Sequence, residues 1–209
     1  MEIISHRGYW KTTEEKNSVA AFERSFSLGF GTETDVRDYR GELVISHDIA
    51  TADCISLVDF MNIYQQSGCK GRLALNIKAD GLQKDLLRIL NSYAGTSHFV
   101  FDMSVPDTIG YLTNSIPVFS RHSEYEPHPP FYEKCHGVWL DAFVDTWYST
   151  DVIKAHIESG KEVAIVSPEL HKREHAGLWE LLKQNNIANL DGVILCTDLP
   201  EEAQQFFFA

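Results

Sequence analysis

Residues 31–48 read GTETDVRDYRGELVISHD. Thr32–Val36 has the composition of a strand, and side chains two apart on a strand face the same side. Glu33 and Asp35 therefore share a face, where two carboxylates repel unless something compensates them. A turn at Tyr39-Arg40-Gly41 follows, then the apolar run Leu43-Val44-Ile45, ending in His47-Asp48. Two acids and a histidine are gathered beside segments that read as buried.

The same rhythm continues outward. Strands are predicted at Glu2–Ser5, Thr32–Val36, Leu43–Ser46, Leu73–Lys78, Phe99–Phe101, Val118–Ser120, Val138–Leu140, Val163–Val166 and Gly192–Leu195. Apolar residues at helical spacing lie between them: Phe22, Phe26; Leu57, Phe60, Met61, Tyr64; Leu82, Leu86, Leu90; Leu178, Leu181, Leu182. Strands alternating with helices argue for parallel βα units. The count is close to eight, with Leu43–Ser46 as an extra piece in the second unit. This predicts a compact (β/α)8 TIM barrel without a large insertion, one domain over residues 1–209. A doubly wound open sheet is the alternative. Its dinucleotide fingerprint is missing, because Gly29-Phe30-Gly31 precedes a strand rather than following one.

Thirty acids against eighteen Lys and Arg give a net charge of −12. A broad nucleic-acid or anionic-membrane surface is excluded by that balance, while a small phosphorylated substrate needs only a few local cations. Cys54, Cys69, Cys135 and Cys196 form no CxxC pair and read as reduced thiols. With no signal segment at the N-terminus, this points to the cytoplasm. No apolar run approaches the roughly eighteen residues of a membrane span.

Barrel chemistry gathers at the C-terminal ends of the strands. Those positions hold Ser5-His6-Arg7-Gly8, Glu33 and Asp35, His47-Asp48, Asn76-Ile77-Lys78, Arg121-His122, Asp141, Ser167-Pro168-Glu169 and Thr197-Asp198. Oxygen ligands so grouped suit a hard divalent cation, Mg²⁺ or Ca²⁺. Such an ion would also remove the repulsion between Glu33 and Asp35.

The chain resembles the glycerophosphodiester phosphodiesterase family. HRG at 6–8, NSVAAFERSFSLGFGTETDV at 17–36 and ELVISHD at 42–48 carry the resemblance; LALNIK at 73–78 and DGVILCTDLP at 191–200 extend it. The resemblance implies a (β/α)8 barrel that hydrolyses a small phosphodiester with a divalent cation. It implies Glu33 and Asp35 as metal ligands, with Asn76 at the third ligand position. It implies His6 and His47 as the acid/base pair, and Arg7 and Lys78 at the phosphate. Three departures stand out. Asn76 replaces the usual glutamate, so weaker metal affinity or help from Asp80 or Asp141 is expected. Glu15-Lys16-Asn17-Ser18 stands where Pro-Glu-Asn-Thr is usual. Only Ile49–Ile55 follows His47-Asp48, where many members carry a longer insertion.

Plainer roles compete at several positions. Asn17 reads as a helix N-cap. His171 and His175, four apart, have zinc-ligand spacing on a helix but no third ligand. Glu169, Arg121 and Asp141 read either as loop residues or as substrate contacts. Trp10, Trp139 and Trp147 read as core or as pocket walls, and Phe206-Phe207-Phe208 as packing for the last helix. Two functions of other kinds stay open: a phospholipase-like lyase that stops at a cyclic phosphate, and a lapsed binder of a phosphorylated sugar or polyol.

Overall fold

The computed structural model describes residues 1–209. The chain divides into two compact units, residues 5–118 and residues 1–4 with 119–209. Strand β1, Glu2–His6, starts in the second and delivers Ser5 and His6 to the first.

In the unit 5–118 the order continues as α1 (Val19–Ser27), β2 (Gly31–Tyr39), β3 (Glu42–Ile45), α2 (Leu57–Ser67), β4 (Leu73–Ile77), α3 (Gln83–Ser92), β5 (His98–Phe101) and α4 (Val105–Thr113). Parallel pairing joins β2 to β4 and β4 to β5, with Asp35 opposite Asn76. β3 folds back antiparallel on β2. The predicted turn between them holds two left-handed residues, Arg40 at φ 50° and Gly41 at φ 85°. β2 runs three residues beyond the predicted Val36, because the β3 partner supplies hydrogen bonds as far as Tyr39.

Helices start where serines satisfy their first amides. Ser18, Ser56 and Ser104 accept from Ala21, Asp59 and Asp107. The apolar stripes of α1 and α2 then meet in an aromatic cluster. Phe22 stands edge-on to Phe60 with ring centres 4.7 Å apart, and Phe26 packs on Tyr64 at 5.2 Å.

The unit of residues 1–4 and 119–209 contains β6 (Phe119–His122), β7 (Gly137–Leu140), α5 (Thr150–Glu158), β8 (Glu162–Val166), α6 (Ala176–Gln184), β9 (Val193–Thr197) and α7 (Pro200–Phe208). Strands β6 to β9 pair in sequence order, all parallel. Phe206 and Phe207 pack on Trp179 with ring centres 5.6 and 5.7 Å away, so the phenylalanine run anchors α7, and Phe208 stays half exposed. Trp139 is core. Apart from antiparallel β3, the strands alternate with helices as in the (β/α)8 class, except that only a 3₁₀ turn, Tyr132–Lys134, stands between β6 and β7. All four cysteines are free thiols. No helix is long and apolar enough to cross a membrane.

Within this second unit a hydrogen-bonded chain runs from Tyr132 through His156 to His122. The Tyr132 hydroxyl lies 2.8 Å from His156 Nδ1, and His156 Nε2 lies 3.0 Å from His122 Nδ1. Burial, and secondly the neighbouring His122, push the His156 imidazolium down to about 4; burial also lowers His122. Between pH 6.5 and 4 the unfolded chain binds the proton that native His156 refuses, so stability is full above 6.5 and falls as pH drops through this window. Full burial would make the loss about 3 kcal/mol; residual solvent access reduces it to about 2 kcal/mol. Urea midpoints at pH 7.5 and 4.5 should show this loss, and His156→Gln should flatten it. An unchanged slope in the variant would assign the acid sensitivity elsewhere.

Candidate active site

The HRG segment is fixed by a buried hydroxyl chain. Ser5 Oγ lies 2.8 Å from both Ser25 Oγ and Thr32 Oγ1, and Thr32 Oγ1 accepts from Gly8 N at 2.9 Å. Arg7 and Gly8 both take left-handed backbone, at φ 58° and 80°. A Cβ on residue 8 would lie 2.7 Å from the Ala21 Cβ, so only glycine lets the chain turn this close to α1. Arg7 N donates to Glu33 O and Asn17 N to Arg7 O, each at 2.9 Å. The result aims Arg7 along β2.

Asp35 is fully buried between two cations. Its Oδ2 lies 3.0 Å from Arg7 Nε, and its Oδ1 lies 3.3 Å from Lys78 Nζ. Asn17 Nδ2 donates to Oδ2 at 2.8 Å, and Thr34 Oγ1 donates to Asn17 Oδ1 at 2.9 Å. Asn17 is therefore a carboxylate partner and not the expected N-cap. Its φ of 59° excludes the extended backbone a cap needs, and Ser18 caps α1 instead. Lys78 also lies 4.0 Å from Asp102 Oδ2, a neighbour the sequence reading missed. Glu33 is 2% exposed, and its Oε2 lies 4.0 Å from His6 Nε2. Burial, then the Asp35 charge, drives the Glu33 carboxyl well above the usual carboxylate range; Arg7 and Lys78 oppose this only in part.

At this site three buried oxygens accept no well-formed hydrogen bond: Glu33 Oε2, Asn76 Oδ1 and Asp35 Oδ1, the last meeting Lys78 only as an ion pair at 3.3 Å. An orphaned buried acceptor costs about 1–3 kcal/mol. Two carboxylates and one amide are hard oxygen donors of the kind a divalent cation accepts. No group of three or more acids, histidines or cysteines is placed to hold an ion. Ser104 donates to Asp80, and Asp141 accepts from His171 Nε2 and Ala142 N, so both expected helpers are engaged elsewhere.

His47 follows β3, half exposed, with Nδ1 2.9 Å from Asp48 Oδ1. It lines a cavity of about 600 Å³ together with Arg7 and Asn17; residues 13–19 form one wall and 45–55 the other. His6, Arg7, Glu33, Asp35 and Lys78 thus form one connected cluster, Asn76 stands beside Asp35 in the strand register, and His47 faces the cavity that Arg7 shares.

In the other unit, Glu169 accepts from Ser167 Oγ at 2.5 Å, from Thr197 Oγ1 and from Asp198 N, and so fastens a loop to the end of β9. Arg121 pairs with Glu126 at 3.6 Å and lies over the Phe143 ring. His171 bonds Asp141, whereas His175 meets Glu202 and Trp179. The spacing of four therefore does not bring them to one ion, because His171 ends a 3₁₀ turn and α6 begins only after His175.

No family model matches the sequence, and no curated protein matches it. Solved structures do. A phosphodiesterase from Oleispira antarctica, in complex with the product sn-glycerol-3-phosphate, superposes with a TM-score of 0.75 at 15% identity, covering 100% of this chain and 97% of that one. Glycerophosphodiester phosphodiesterases from Agrobacterium tumefaciens (TM-score 0.67, 14% identity, 96% and 97% covered) and Parabacteroides distasonis (0.67, 16%, 98% and 85%) agree. This chain has the glycerophosphodiester phosphodiesterase fold. The expected (β/α)8 barrel is borne out with it. Phosphoribosyl anthranilate isomerase from Thermus thermophilus also matches, at a TM-score of 0.54 and 12% identity. The glycerophosphodiester phosphodiesterase fold therefore overlaps with that of an enzyme of another class, and the reaction must be argued from the side chains.

Proposed function

We propose that the chain hydrolyses a small phosphodiester of the glycerophosphodiester kind, with the help of a hard divalent cation, Mg²⁺ or Ca²⁺. The observation that carries this is the set of three buried oxygens on Glu33, Asp35 and Asn76 that accept no well-formed hydrogen bond, set beside Arg7, Lys78 and His6. The ion, held by those three residues, would supply electrostatic stabilisation of the non-bridging phosphoryl oxygens. Arg7 offers a guanidinium fork to the same oxygens and Lys78 a point charge. His6 and His47 divide the proton work: one accepts from a hydroxyl of the substrate next to the phosphoester, the other donates to the leaving alkoxide. The phosphorus then carries a cyclic diester. The same two imidazoles exchange roles when water opens it to a phosphomonoester. The sn-glycerol-3-phosphate held by the Oleispira phosphodiesterase is a product of this kind. The acidic surface supports a small-molecule rather than nucleic-acid partner, and the free thiols support a cytoplasmic site.

Asn76 favours a second reading, binding without turnover, because its amide lacks the charge of a carboxylate. One panel separates the two. Phosphodiesters of glycerol are incubated with Mg²⁺, Ca²⁺ or Mn²⁺, with and without EDTA. Turnover that EDTA abolishes is expected, and Asn76→Glu should tighten the metal requirement. Undiminished turnover in EDTA would remove the ion from the mechanism; tight binding with no turnover would favour the second reading.

A further inference from the structure

The cavity beside the cluster is lined by two cations, Arg7 and Lys16. Arg7 is already engaged by Asp35. On the wall formed by residues 13–19 stands Lys16, half-buried, its ammonium 4.4 Å from the centre of the Trp10 ring. Trp10 is itself held by a bond from Nε1 to His6 O at 3.1 Å. No carboxylate pairs with Lys16. Its acidic neighbours are engaged: Glu15 accepts from Arg24 and Lys11 N, and Glu14 from Thr13. The cavity's own acids, Asp48 and Asp53, belong to the opposite wall, and Asp48 is bonded to His47.

An ammonium resting on an aromatic face is partly stripped of water. Without a counter-ion it gains most from an incoming anion, through a charge-assisted hydrogen bond. The chain's net charge of −12 repels a dianion at long range, so attraction here must be local. We propose that Lys16 is a specificity-determining residue that receives a second anionic group, phosphate or carboxylate, carried by the alcohol part of the phosphodiester. This rests on the hydrolase reading above and names its substrate class: diesters with a negative charge beyond the one at the scissile phosphate.

The test uses four diesters of sn-glycerol-3-phosphate. Their second alcohols are glycerol, glycerol bearing a terminal phosphate, lactate, and choline. kcat/KM is measured for the wild type, Lys16→Gln and Lys16→Glu. Binding of the same diesters is followed in parallel by calorimetry without divalent cation. The wild type should prefer the phosphate-bearing or lactate diester to the glycerol diester, and the choline diester should be worst. Lys16→Gln should lower the anionic-to-neutral ratio about tenfold, and Lys16→Glu should move the preference toward choline. The better of the two anionic diesters tells phosphate from carboxylate. Ratios that are equal in all three proteins, in turnover and in binding, overturn the assignment, and hydrolysis of any diester would leave the hydrolase reading standing. A Lys16-dependent binding preference without turnover of any diester sinks the hydrolase reading and keeps the assignment.

Discussion

Replacing His6 or His47 by alanine is expected to cut turnover by about 10²-fold or more, with substrate affinity largely kept. The two rings have different neighbours. His47 Nδ1 lies 2.9 Å from Asp48 Oδ1, which orients the ring and leaves Nε2 as its second proton-exchanging nitrogen. His6 Nε2 lies 4.0 Å from Glu33 Oε2. A neutral ring and a protonated ring are what a two-step acid/base exchange requires, so kcat/KM should be bell-shaped in pH. Each alanine variant should lose one limb of the bell. The comparison that isolates the step is a glycerol diester against its analogue lacking the neighbouring hydroxyl. Equal rates for the two would replace the cyclising route with direct attack by water. A loss below about tenfold in either variant would remove that histidine from the proton work.

Asp35→Ala should have the second large effect, on stability as well as rate. The Asp35 carboxylate neutralises Arg7 and Lys78 and accepts from Asn17. Arg7 and Lys78 are themselves mostly buried, each with a side chain 20% exposed. Removing the acid takes away the carboxylate that Arg7 and Lys78 share and leaves Lys78 only the more distant Asp102, 4.0 Å away. Breaking a buried pair in this way costs about 3–5 kcal/mol. The variant also loses one of the three oxygens proposed to hold the cation, so any metal-dependent turnover should vanish. Asp35→Asn keeps an acceptor for Asn17 and should lose less stability, yet be as inactive. Urea midpoints and the EDTA-sensitive rate, read together on both variants, check the split. An alanine variant as stable as the wild type would mean that Asp35 does not hold the two cations.

The strand-to-helix rhythm was legible because its apolar periods are short and unmixed, and boundaries moved by only a few residues. Val118–Ser120 became Phe119–His122, and Gly192–Leu195 became Val193–Thr197. Alternation also placed Glu33 and Asp35 on one face, and strand register then set Asp35 beside Asn76. What escaped was decided by backbone conformation or by distance along the chain. Asn17 is of a type that favours caps, but its left-handed φ turned the amide onto Asp35. His171 and His175 had helical spacing, yet the chain between them is not helix. Asp102 follows a four-residue strand with no motif around it, and only folding brings it near Lys78. Lys16 was visible as a departure from the family pattern, but its place over Trp10 was not.

Gly8 and Ala21 meet so closely that neither position has room to grow. This contact limits which substitutions the corner can accept. A larger residue at 21 would push α1 off the turn that aims Arg7, and a compensating change at 8 does not exist, because glycine is already the smallest residue. Mutational paths through this corner are therefore closed on both sides, and divergence must run around it. A search for other chains that build the same corner gains more from two small residues at this spacing, one directly after the arginine, than from another acid on β2.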